Sequence, residues 1–237
     1  MDNEQPLSVN ARIVDALAGK SNLKSFVFDR TLDIFVELKE LLAEISNDLD
    51  EALDELRDSG KSLSKRVKLE YRDRGKDVAE LRFADDVLVF SMCADIYQFD
   101  REHPVWNVPY SKEDTGNTYC GVINVYNFLY ESIKLNRQDD LGYLVARMFV
   151  NKDGCFFVEG KNQNRCKVCD FGKVRLDKKE LRDFVEGAML YALSFDLLVP
   201  PFDKVKTVTV GEKNSEDYVI KTAKRLGFEY RSDDVLK

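Results

Sequence analysis

The stretch TLDIFVELKELLAEISNDLDEALDELRDSG, residues 31–60, decides how the rest of the chain is read. Phe35, Leu38, Leu42, Ile45, Leu49, Ala52 and Leu56 recur at alternating steps of three and four. That spacing keeps them on one face of a helix and is also the a/d pattern of a coiled-coil seam. Thr31 reads as the N-cap, with Asp33 in the first turn, and Gly60 as the residue just past the helix end. The spacing predicts a continuous amphipathic helix over 31–58. So short a seam is marginal alone, so its expected partner is the protein's own sheet. Self-association, or a protein partner, through the same face is the alternative. Ten acids and two bases give 31–60 a charge of −8, against −7 for the whole chain, so the other residues sum to +1.

Outward from this helix the period changes. A shorter helix is expected near 8–18. After Gly60, Val67, Leu69 and Tyr71 alternate with Lys68, Glu70 and Arg72, and Ala79, Leu81 and Phe83 alternate with Val78, Glu80 and Arg82. With turns at 73–77 and 85–86 and the apolar run VLVFSM after them, this is an antiparallel meander over 66–99. Residues 100–117 read as an ordered loop anchored by Trp106. Val122, Val125, Tyr126, Leu129 and Ile133 have helical spacing within 120–137. A hairpin follows, 143–150 against 155–159 around Asn151-Lys-Asp-Gly154. Residues 177–195 form a helix with Leu181, Phe184, Val185, Ala188, Leu190, Tyr191 and Leu193 inside. A strand over 205–210, a helix over 215–226 and a last strand at 228–231 complete the pattern. The fold class is α+β: a long N-terminal amphipathic helix, with an antiparallel meander and hairpin packed against C-terminal helices. The organisation is either a helical arm, 1–62, followed by an α+β domain, 63–237, or one continuous domain.

Composition excludes several classes. The chain has 237 residues, 44% hydrophobic and 33% charged, which is neither disordered nor fibrous. The acidic balance argues against a protein that coats nucleic acid or a membrane surface. No apolar run reaches the ~18 residues of a membrane span, and the opening residues lack a long apolar stretch, so neither a membrane segment nor export is expected. Five cysteines, an odd number at low density, fit reduced thiols and a cytoplasmic protein. Cys93 and Cys120 sit in apolar surroundings and read as core. Cys166-Lys-Val-Cys169 can grip one edge of a tetrahedral zinc, but a closed site needs two further ligands and only Cys155 is near, so loop thiols are expected. One histidine, His103, rules out multi-histidine metal centres, and its setting, Asp100-Arg-Glu-His-Pro104, is a charged loop. Gly-x-Gly-x-x-Gly, the phosphate-binding lysine loop and Gly-x-Ser-x-Gly are all absent.

Several segments resemble known motifs. Phe83-Ala-Asp-Asp86 resembles the metal-binding hairpin of reverse transcriptases, but the preceding residues lack the third carboxylate strand, and Asp-Asp is ordinary turn composition. Cys169-Asp-Phe-Gly172 resembles the Asp-Phe-Gly segment of protein kinases, without their catalytic and Gly-rich loops upstream. Phe156-Phe-Val-Glu159-Gly-Lys161, preceded by Asp139 and Asp140, is similar to the hydrophobic-Glu-x-Lys strand of PD-(D/E)xK nucleases. That resemblance implies Mg²⁺ held by Asp140 and Glu159, with Lys161 activating the attacking water and Glu131 as an extra acid. The hairpin, centred near Lys152, would set residue 145 opposite 159. Residues 161–182 carry eight bases and three acids, a local phosphate-binding surface, while the family's Pro-Asp step is missing. The runs ELRFADDVLVFSM (80–92) and YQFDREH (97–103) resemble a protein family of Bacteroidetes; this implies a bacterial cytoplasmic protein and transfers no site.

With so thin a catalytic inventory, the expected function is a non-catalytic binding or regulatory protein without cofactor. A Mg²⁺-dependent nuclease with catalytic Asp140, Glu159 and Lys161 is the first alternative, and nucleic acid is a partner only in that case. A small-molecule sensor, by analogy of fold, is the second.

Overall fold

The period-2 segments pair into one antiparallel sheet, and the long helices lie across one of its faces, which makes the fold α+β. The computed structural model describes residues 8–65, 67–136, 140–160 and 166–194, with the backbone of 197–198 and 223–224. The strands are β1 (Leu69–Asp73), β2 (Val78–Phe83), β3 (Asp86–Met92), β4 (Tyr97–Gln98), β5 (Tyr119–Leu129), β6 (Tyr143–Val150) and β7 (Phe156–Gly160). They run in the order β1-β2-β3-β5-β6-β7, and β4 follows β3 along the same side of β5.

Helices α1 (Val9–Ala16) and α2 (Asn22–Asp58) are joined by a π-helical turn, Leu17–Ser21, that contains Gly19. Thr31 is not an N-cap. Residues 22–30 contain neither Gly nor Pro, so the helix runs through them. The buried Thr31 hydroxyl instead donates back to the Val27 carbonyl at 2.7 Å. It faces Gly121 of β5, where a Cβ would stand 2.1 Å from Thr31 Oγ1. Glycine there is what lets α2 approach the central strand. Gly60, with φ +88°, follows the helix end as expected.

Ile34, Phe35, Leu38, Leu41, Leu42 and Ile45 are fully buried against the sheet, but the second half of the seam is not: Leu49 is 39% and Leu56 41% exposed. The reason is length. Thirty-seven residues extend about 55 Å, whereas six strands span about 24 Å across and the longest about 37 Å along. The last turns are tied to β1 by polar contacts, with the Leu69 N–H donating to Asp50 Oδ1 at 3.2 Å. Helix α5 (Lys178–Leu193), N-capped by Asp177, lies beside α2. It buries Leu181, Phe184, Val185, Ala188, Met189 and Ala192, whereas Leu190 and Leu193 face outward. Part of the acidity of α2 is met here: Lys178 reaches Glu44 at 2.7 Å and Arg182 reaches Asp48 at 3.2 Å.

Residues 119–129 form a strand, not the helix that their spacing suggested. β5 is central and covered on both faces, so apolar residues occupy both sets of alternating positions, and the run mimics helical spacing. Only Tyr130–Lys134 (α4) is helical. The second cover is the segment 93–118, with 3-10 turns at Pro104–Asn107 and Thr115–Thr118 flanking the short helix α3 (Pro109–Glu113). Together with Phe171 it encloses a smaller core of Val105, Val108, Cys120, Val122, Phe149, Cys155 and Phe157.

Leu197–Leu198 pairs antiparallel with Ala223–Lys224, so the end of the helix expected over 215–226 is strand. The expected strands at 205–210 and 228–231, and the rest of that helix, lie outside the described residues. No helix among the described residues is long and apolar enough to cross a membrane.

Candidate functional site

On the face opposite α2 the second cover ends one residue row above a line of polar side chains. Val122, Phe149 and Phe157 are cross-strand neighbours within the smaller core. Two residues on, the same alternation places Asn124, Arg147 and Glu159 in one row across β5, β6 and β7. Cys93, just past β3, and His103, from the cover, close this row from above.

Asn124 is 8% exposed and uses both ends of its amide. Its Oδ1 accepts from Arg147 Nε at 2.9 Å, and its Nδ2 donates to Cys93 Sγ at 3.2 Å. Arg147 is thereby braced through its Nε. No carboxylate among the described residues is in ion-pair contact with it. Glu159 stands directly across from Arg147, a pairing that puts Cβ atoms about 4.5–5.5 Å apart. Its carboxylate turns instead toward His103, with Oε1 3.6 Å from Nε2. The His103 ring is fixed on two sides. It stacks on Phe99 at 4.4 Å, and its Nδ1 accepts the Val105 N–H at 3.2 Å, capping the Pro104–Asn107 turn. With Nδ1 an acceptor, the neutral ring carries its proton on Nε2, the nitrogen that faces Glu159.

These side chains line a cavity of about 490 Å³ with Phe99 and Phe149 as its apolar wall and Tyr97 and Asp100 at its mouth. Glu159 also lines a neighbouring cleft of about 810 Å³ between Pro104–Pro109 and Lys167–Cys169, along the edge strand β7. Volumes of this size accommodate small organic ligands.

The sequence-predicted residues are distributed as follows. Glu159 is in the cavity wall, opposite Arg147 and not residue 145. The turn accounts for the difference: Asn151 Oδ1 accepts the N–H groups of Asp153 and Cys155, both at 3.0 Å, and Gly154 takes φ +73°, so the loop spans 151–155. Asp140 precedes β6 and accepts the Ser132 hydroxyl at 2.6 Å, seven residues along the chain from Arg147. Glu131 lies on α4, 3.5 Å from Lys134. Asp139 and Lys161 lie outside the described residues. Among the described residues no group of three His, Cys, Asp or Glu side chains is placed to hold a metal ion. Cys166 Sγ contacts Glu180 at 3.6 Å and Cys169 is exposed. Cys93 is half-buried in the cavity and not simply core, whereas burial of Cys120 pushes its thiol well above the ordinary range.

The other two resemblances find structural explanations. In Asp170-Phe171-Gly172, Asp170 pairs with Lys173 at 2.9 Å and Phe171 fills the smaller core. Gly172, at φ +89°, packs under Tyr110, whose ring would lie 2.3 Å from an added Cβ. In Phe83-Ala-Asp-Asp86, Phe83 and Asp86 close a two-residue hairpin, and Ala84 adopts φ +52°.

Arg147 and Asn124 are the functional candidates that periodicity passed over. Their signal is a polar residue interrupting a buried strand, in YLVARMFV and GVINVYN. A scan against protein-family models, a search of curated proteins and a search of solved structures each found no match.

Proposed function

We propose that this chain is a non-catalytic binding protein, and that the cavity between the sheet and the 97–103 segment is where it takes a small organic ligand. The observation that supports this reading is Arg147: a half-buried guanidinium, braced by Asn124 and in ion-pair contact with no described carboxylate, beside an aromatic wall. A partly buried charge without its counter-ion is costly, and a protein normally neutralises it. One aimed into a cavity is neutralised by what enters. Phe99, Phe149 and Val122 supply apolar contact, and Asn124, His103 and Glu159 the few polar groups that orient a guest, which is the usual division of labour in small-molecule sites.

The reading is tested with Cys93 as reporter. Purified protein is exposed to a thiol-alkylating reagent with and without each member of a panel of small carboxylates, amines and amino acids. Labelling of Cys93 is followed by mass spectrometry and thermal stability in parallel. At least one class should slow Cys93 labelling and raise the melting temperature, and Arg147→Met should remove both effects. No protection by any compound would refute the proposal.

A further inference from the structure

We infer that the ligand of this cavity is a zwitterion, an α-amino acid with an apolar side chain; the inference rests on the cavity being a ligand site. It starts from a pair of opposite charges that do not meet. Arg147 and Glu159 occupy directly opposed positions on β6 and β7 and point to the same face, which is the arrangement that ordinarily gives a cross-strand ion pair. Here each is drawn aside. Asn124 takes the Nε edge of Arg147 at 2.9 Å, and His103 stands 3.6 Å from Glu159. The two flanking residues are themselves held, Asn124 by Cys93 and His103 by Phe99 and the Val105 N–H. The Arg147 side of the gap is thus fixed by Asn124, while Glu159, 46% exposed, is turned toward His103.

A cation and an anion set side by side at cross-strand distance, about 4.5–5.5 Å between their Cβ atoms, select against ligands of a single charge. A simple carboxylate that satisfies Arg147 is placed beside Glu159, and a simple amine that satisfies Glu159 is placed beside Arg147. A ligand whose carboxylate and ammonium share one carbon satisfies both, with a forked contact from the guanidinium and an acceptor for the ammonium. The third substituent of that carbon then faces the apolar wall of Phe99, Phe149 and Val122. An apolar side chain matches that wall and is therefore preferred. Asp100, at the mouth, has one carboxylate oxygen engaged by the Glu102 N–H at 2.9 Å.

The test is a matched set of probes titrated calorimetrically into the full chain. Leucine, methionine and phenylalanine are compared with 3-phenylpropionate, which lacks the ammonium, and phenethylamine, which lacks the carboxylate. At least one of the amino acids should bind, and phenylalanine should bind at least tenfold more tightly than either truncated analogue. Glu159→Gln should weaken phenylalanine at least tenfold and tighten 3-phenylpropionate, whose carboxylate no longer meets a like charge. Arg147→Met should weaken both phenylalanine and 3-phenylpropionate and tighten phenethylamine, whose ammonium no longer meets a like charge. Either analogue binding as tightly as phenylalanine overturns the zwitterion while leaving the cavity a ligand site. So does a lack of binding by all three amino acids when another class protects Cys93. Failure of every probe, together with unprotected Cys93, overturns both. The wild-type series decides the matter even if a variant fails to fold.

Discussion

Truncating two leucines of the same seam should have very different costs. Leu42 is fully buried between α2 and the sheet, within the cluster that contains Phe35, Leu81, Phe90 and Ile123. Leu42→Ala removes its apolar contacts and leaves a cavity that neighbours on two elements cannot close, which costs about 2–5 kcal/mol. Leu49, two turns later, is 39% exposed where α2 has outrun the sheet. Leu49→Ala opens no closed cavity, so only part of the transfer free energy is lost, about 1 kcal/mol. The higher helix propensity of Ala returns a few tenths of a kcal/mol. The expected difference is therefore at least about 1 kcal/mol. Urea denaturation followed by far-ultraviolet circular dichroism measures it, provided that the slope m is the same in both variants. Equal costs would refute the account, because they would mean that the whole seam is buried. A cost at Leu49 that grows with protein concentration would show that a second chain covers this end of the helix, which is the self-association alternative.

Gly172→Ala should destabilise by more than 1 kcal/mol, because it imposes both a left-handed φ and a clash with the Tyr110 ring; a change within about 0.5 kcal/mol in the same denaturation assay would contradict the packing. Gly121→Ala should cost at least as much, since the new methyl meets Thr31 on the closely packed α2. The pH dependence has two limbs. Glu70 is held below the usual carboxylate range by its hydrogen bond from Arg72, and Asp114 by Lys152 and the Gly116 N–H. Depressed carboxylates add stability above their unfolded values, here 4.5 and 3.8, and lose it as pH falls through the folded ones. Melting temperature should therefore drop on acidification below about pH 5, and Asp114→Asn should flatten that limb. Tyr110 is shifted the other way, raised by burial and then by Asp153, so its contribution is complete below pH 10 and fades above it; Tyr110→Phe should shallow the alkaline limb. Finally, chelator should leave thermal stability unchanged, and Mg²⁺ or Mn²⁺ should not elicit cleavage of single- or double-stranded nucleic acid; one stoichiometric zinc at Cys166 and Cys169, or cleavage lost in Glu159→Gln, would reverse that expectation.

How much the sequence discloses depends on how many faces of an element are buried. The meander was legible because Ala79, Leu81 and Phe83 face the apolar core while Glu80 and Arg82 alternate with them and pair with Arg74 and Glu70. The hairpin was legible through its turn, which ends in Gly154, and α5 through the spacing of Leu181, Phe184, Val185 and Ala188. β5 was not legible, because burial on both sides erased its alternation and left spacing that fits a helix equally well. The start of α2 was misread for a related reason: Thr31 is a common capping residue, but here its hydroxyl serves the preceding turn and its side chain meets Gly121. That close approach joins residues ninety apart, which no local pattern records. The cavity has the same character. Glu159 was singled out through a motif, but the residue opposite it, and hence its chemical meaning, followed from a turn set by the Asn151 side chain.

The polar row and the smaller core beside it are two consequences of one register. Along β5, β6 and β7 the positions Val122, Phe149 and Phe157 and the positions Asn124, Arg147 and Glu159 fall on the same face by alternation. A slip of one residue in β6 would turn Arg147 under α2 and Met148 out into the cavity, so burial on the helix side fixes the register strongly. The one irregularity, the bulge at which Val145 and Ala146 are both buried opposite Val125 and Tyr126, lies on the far side of Arg147 from the smaller core. It absorbs the extra residue before the row begins and leaves Asn124, Arg147 and Glu159 aligned. Extending the cover further over that row would bury the charge of Arg147, which Asn124 holds through Nε and which no described carboxylate contacts. The cavity thus exists where it does because the sheet's pairing carries a cation to the limit of what the cover can bury.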